Sequence, residues 1–87
     1  MVDRLRLQIE LLAHNYRIGA IGAASDGFAK LIDDLIHFLQ AAPAGVDPAQ
    51  LLPWIQQGLA AQQRADFLEL ADILQFEVSP RLLPAPR

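Results

Sequence analysis

The stretch Asp3-Arg4-Leu5-Arg6-Leu7-Gln8-Ile9-Glu10-Leu11-Leu12-Ala13-His14-Asn15-Tyr16-Arg17-Ile18-Gly19 decides how this chain is read. At about 3.6 residues per turn, Leu5, Ile9, Leu12 and Tyr16 recur on one side of a helix. Leu7, Leu11 and Ile18 line up nearly opposite. The spacing predicts a helix from about Asp3 to Arg17, with Asp3 as its cap and Gly19 as a left-handed residue closing it. A helix apolar on two sides belongs between two layers.

The rest of the composition agrees with helix. Fifteen Leu and fourteen Ala stand against three Val and no Thr, a palette that favours helices and starves a sheet of β-branched residues. With 87 residues the chain is expected to form one domain, residues 1–83, followed by a loose tail, residues 84–87. A body this small buries only about 60 to 65% of the surface of its unfolded form. It has no cysteine, hence no disulfide to reinforce it, while 53% of its residues are apolar and the mean hydropathy is +0.23. These features point to a second copy or a partner as the reinforcement, and the lack of cysteine is compatible with a reducing compartment.

Working outward, the second helix is expected to carry Ile21, Phe28, Ile32, Leu35, Ile36 and Leu39 on a broad face and to end near Ala41 or Ala42. A break at Ser25-Asp26-Gly27 competes with the one at Gly19. The outer face holds Asp26, Lys30, Asp33, Asp34 and His37, with Asp26–Lys30 and Asp33–His37 spaced as surface pairs. Pro43, Gly45 and Pro48 mark a loop. Asp47 caps a third helix with Pro48 as its first residue, unless that helix starts or bends at Pro53. Leu51, Leu52, Ile55 and Leu59 supply its buried face. Asp66 and Glu69 have the spacing of a capping box for a fourth helix. That helix presents Phe67, Leu70, Ala71, Leu74 and Val78 on one face, with Ile73 and Phe76 well away from it. Pro80 is expected to bend or end it.

The run from Asp66 to Pro80, with Leu70-Ala71-Asp72 and Phe76-Glu77 at its heart, resembles the C-terminal signature of a small bacterial family of all-helical proteins. Gln75 stands where that pattern has an acid, and Phe76 where tyrosine is commoner. The resemblance implies a helical fold and brings no activity with it.

Few residues offer chemistry. The seven Lys and Arg are scattered and the net charge is −3, which argues against nucleic acid. No apolar run approaches a membrane span and no secretory h-region is evident, so no membrane is expected and the address is read as cytoplasmic. Asp33 and His37 are too few for a zinc site. Trp54 is either a core plug or a partner-facing aromatic. Glu77 needs a partner such as Arg81, four residues on. No nucleophile elbow or phosphate loop is present. No cofactor is expected.

The reading is therefore an all-α fold of four helices, arranged as two antiparallel hairpins in a small bundle and paired as a homodimer. The contact residues are expected to be Leu7, Leu11, His14, Ile73 and Phe76. The function is read as a non-enzymatic protein–protein interaction module. The alternative is a small chaperone or adaptor holding an amphipathic helix of a secreted or flagellar client, and an enzyme comes third.

Overall fold

The computed structural model describes residues 2–82; Leu83 and the expected loose tail, residues 84–87, lie outside the described residues. Helix α1 (Val2–Arg17) buries Leu5, Ile9, Leu12, Ala13 and Tyr16. It starts at Val2, so Asp3 lies inside the first turn rather than capping it. There its carboxylate still favours the positive end of the helix dipole.

Gly19 makes the break. Its φ is +82°, and the turn closes with two backbone bonds, Ala20 N–H to the Asn15 carbonyl (2.9 Å) and Gly19 N–H to the Tyr16 carbonyl (3.3 Å). This is the Schellman arrangement, which requires a left-handed residue at the position Gly19 occupies. Helix α2 (Ile21–Gln40) then runs unbroken through Ser25-Asp26-Gly27, so the competing break does not occur. Gly27 instead serves packing: a Cβ there would stand 2.7 Å from Leu12 Cδ2, which shows how closely α2 rides on α1.

Helix α3 (Pro48–Gln63) begins where Asp47 Oδ1 accepts from Ala49 N–H (2.9 Å), with Pro48 in the first turn. Its missing N–H costs nothing at that position. The helix does not start at Pro53 but passes through it, and Pro53 has no N–H to offer the Ala49 carbonyl. The buried residues of α3 are Leu51, Gly58 and Ala61. Leu52 and Leu59, expected in the core, are exposed.

The C-terminal end of α3 repeats the closure of α1, with Asp66 N–H on the Ala61 carbonyl (2.9 Å) and Ala65 N–H on that of Gln62 (3.0 Å). The left-handed residue is here an alanine, Ala65, at φ +58°.

Helix α4 (Phe67–Asp72) continues through a π-helical segment (Ile73–Val78) into a last turn, α5 (Ser79–Arg81); the three form one rod, the fourth helix. Asp66 Oδ1 accepts from Glu69 N–H (3.2 Å), but the capping box is only half made. Asp66 N–H goes to Ala61, and the Glu69 carboxylate turns to Arg64. Pro80 sits within the last turn, and the rod ends one residue beyond it, at Arg81. The proline ring would crowd the Phe76 carbonyl of a regular α-helix, and the wider π turn precedes it, with Ser79 N–H reaching back five residues to Leu74. The same widening explains which side chains are inside. Leu70, Leu74, Val78 and Leu82 are all buried at steps of four. In an α-helix each such step drifts by about 40°, whereas a turn holding more residues keeps them in line.

Helices α1 and the fourth helix form the centre. Helix α2 packs on α1, and α3 packs on α4 and the π segment. Tyr16 stacks on Phe67 with ring centroids 5.3 Å apart and planes 8° from parallel. Among the described residues no helix is long and apolar enough to cross a membrane.

The two Schellman turns make opposite predictions. Replacing Gly19 with alanine should cost about 1 kcal/mol, because an alanine Cβ is strained at positive φ, and Ala65→Gly should stabilise by a similar amount. Denaturant unfolding of both variants measures the difference.

Candidate interaction surface

Arginines from α1 tie it to the fourth helix along its length. Near the start of α1, Arg6 Nε donates to the buried Ser79 hydroxyl (3.2 Å). At the other end Arg17 meets Asp72 at 2.8 Å and donates to Gln75 Oε1. The Arg17 guanidinium also lies 5.9 Å from the centre of the Phe76 ring. On the opposite flank, Gln8 Nε2 donates to Asp34 Oδ2 (3.0 Å). That contact, with Lys30 beside it, holds the Asp34 carboxyl below the usual range despite some desolvation.

With both flanks of α1 occupied, one strip remains. Leu7 is 70% exposed, Leu11 61% and Ile18 63%, and they run along the side away from the core. His14 is exposed between Leu11 and Ile18. Arg4 and Glu10 border the strip, which forms a shallow apolar trough. Across Arg17, Phe76 is 59% exposed and Leu68 64%. Sequence reasoning passed over Leu68, although its spacing of four from Asp72 and seven from Gln75 would have placed it on their side of the helix.

Of the five expected contact residues, Leu7, Leu11, His14 and Phe76 lie on the surface and Ile73 does not. Ile73 is buried in the subunit's own core. A Cβ added to Gly58 of α3 would touch its Cγ2 at 3.8 Å, so α3 covers the side that the spacing had left open.

Two other local readings are corrected. Lys30 pairs with Asp34 (3.6 Å) rather than with Asp26. The His37 ring shares a hydrogen bond with the Asp33 carbonyl (2.8 Å), not with its carboxylate. Glu77 does pair with Arg81 at 2.9 Å, and the Arg81 guanidinium lies 5.2 Å from the ring centre of the half-buried Trp54. Asp72 and Glu77, at the heart of the C-terminal run, thus each hold an arginine: one binds α1, the other steadies the last turn.

No protein-family model, curated protein or solved structure matches the chain. Among the described residues no three carboxylates or imidazoles gather as metal ligands. The chemistry the strip offers is contact between apolar side chains, with charges at its border.

The single tyrosine gives a pH prediction for the helix pair beneath the strip. Tyr16 Oη is buried without a hydrogen bond of good geometry, and burial pushes the phenol above its ordinary value, an effect the Ser25 hydroxyl only partly offsets. The folded state therefore holds this proton more tightly than the unfolded chain. Its contribution to stability is complete below the unfolded pKa of about 10 and is lost as pH rises through the folded value. Ultraviolet titration should show phenolate appearing above pH ~10 in native protein and near 10 in denaturant.

Proposed function

We propose that this protein is a non-enzymatic helical interaction module that associates with itself. In this reading its helices form two antiparallel hairpins, and Leu7, Leu11, His14 and Phe76 lie between two copies. One observation carries the reading: three large aliphatic side chains, each more than 60% exposed, stand in a row along α1 and the residue that follows it. Fully burying one such side chain is worth about 1.5–3 kcal/mol, and a symmetric pair gains it twice. The contacts Gln8 to Asp34 and Leu12 to Gly27, which meet in reverse chain order, support the hairpin reading for α1 and α2.

The reading extends to two further points. Residues 66–80 resemble the C-terminal signature of a small bacterial all-helical family, which motivates the same helical reading, and the cysteine-free sequence is compatible with a cytoplasmic setting. A monomer that binds an apolar dye strongly would speak instead for a chaperone-like trough holding a client helix.

Sedimentation measures the association directly. The wild-type chain should sediment as a dimer. Leu11→Asp removes about 2 kcal/mol from each copy, so it should weaken association on the order of a thousandfold while leaving the helical signal unchanged. Phe76→Asp should weaken it in the same direction. A wild-type protein that stays monomeric at all concentrations would end the self-association reading.

A further inference from the structure

The exposed strip of α1 has an internal order that goes beyond its being apolar. Its members fall at 7, 11, 14 and 18, with steps of four, three and four. This is the spacing of a coiled-coil seam, with Leu11 and Ile18 at the a positions and Leu7 and His14 at the d positions. The spacing reads the same in both directions about a point between Leu12 and Ala13. We infer that two copies pair antiparallel through this seam, Leu7 against the partner's Ile18 and Leu11 against the partner's His14. The inference rests on the self-association reading and adds its face, direction and register.

The edges of the seam choose the occupant. Along one edge, at the g positions, stand Asp3, Glu10 and Arg17; along the other, at the e positions, stand Gln8 and Asn15. In an antiparallel pair like edges meet. Glu10 then faces the partner's Arg17, and by symmetry the contact is made twice. The other edge carries no charge to oppose this pairing: Asn15 is an amide, and the Gln8 amide is turned to Asp34 of α2. Glu10 makes no ion pair among the described residues. Arg17 uses two of its five N–H groups on Asp72 and Gln75 and keeps others to donate.

A parallel pair would waste this arrangement. Each edge would meet the opposite one, so Glu10 would face an asparagine and Arg17 nothing, while the two His14 rings would stand against each other. A seam whose spacing and charges both complement themselves on reversal fits a second copy of this chain better than an unrelated helix. Ile18 continues the seam past the end of α1, because its N–H still bonds the His14 carbonyl at 3.1 Å. Phe76, beside Arg17, borders the place where the partner's Glu10 would arrive.

The chain has no cysteine, so single cysteines report pairing cleanly. Leu7→Cys and Ile18→Cys both alter exposed side chains. Each variant alone, treated with a short thiol-to-thiol cross-linker, should give little dimer; the two mixed after subunit exchange should give the mixed 7-to-18 product, identified by peptide mass. Glu10→Lys should weaken the dimer at least tenfold at low salt, and added salt should narrow the difference. Efficient 7-to-7 linkage would overturn the antiparallel direction. A wild-type dimer with no mixed product would overturn the seam while sparing self-association, and a wild-type monomer would overturn both.

Discussion

The contact between α1 and the fourth helix is the one on which the other packing depends. It is apolar inside, where Leu5, Ile9 and Tyr16 share one buried core with the row Leu70, Leu74, Val78 and Leu82, and polar at its ends, where Arg6 reaches Ser79 and Arg17 reaches Asp72. The stack of Tyr16 on Phe67 fills the end near the first turn of α4, at the expense of a buried phenol without a well-formed hydrogen bond. Helices α2 and α3 each add to one outer side of this pair. The fourth helix needs a second apolar face for α3, whereas α1 meets both α2 and the fourth helix with one broad face, so its second apolar strip is not accounted for by the packing of the subunit.

That arrangement accounts for the surplus of apolar surface unevenly. On the fourth helix, α3 takes up the second face as far as Ile73, and Leu68 and Phe76 are left outside. On α1 the flanks are filled by α2 and the fourth helix, yet the strip opposite the core keeps Leu7, Leu11 and Ile18 in water. The excess of grease visible in the sequence is thus real but unevenly placed. Ile36, Leu52, Leu59, Leu68 and Phe76 are spread over the other helices, whereas Leu7, Leu11 and Ile18 fall in a line, and it is that line which gives a functional reading something to work with.

The readable parts of the sequence were those governed by local backbone chemistry. Gly19 closes α1 because a left-handed residue is needed there, and glycine adopts that conformation without strain. Asp47 caps α3 and Asp66 caps α4 because a short carboxylate can accept from N–H groups two or three residues ahead. Glu77 and Arg81 find each other across one turn. Several readings that went astray involved a choice among neighbours. Lys30 had Asp26 four residues behind and Asp34 four ahead, and Asp34, already engaged by Gln8 of α1, is the one it pairs with. Glu69 could reach back to complete its box, but Arg64 stood closer to hand. Pro53, which offered itself as a helix start, is carried within α3, and Pro80 lies in the last turn of the fourth helix, after a π turn that makes room for its ring.

The residue pattern alone determined that this chain is helical, where most of its helices begin and end, and that α1 and the fourth helix each have two apolar sides. Those properties follow from spacing and from the conformational preferences of single residues, which act over a turn or less. Only the tertiary structure decided which of the second faces would be covered, burying Ile73 beneath α3 and leaving Leu7 and Leu11 bare. Coverage depends on where a neighbouring helix comes to lie, and that is settled by the packing of the whole rather than by any one segment.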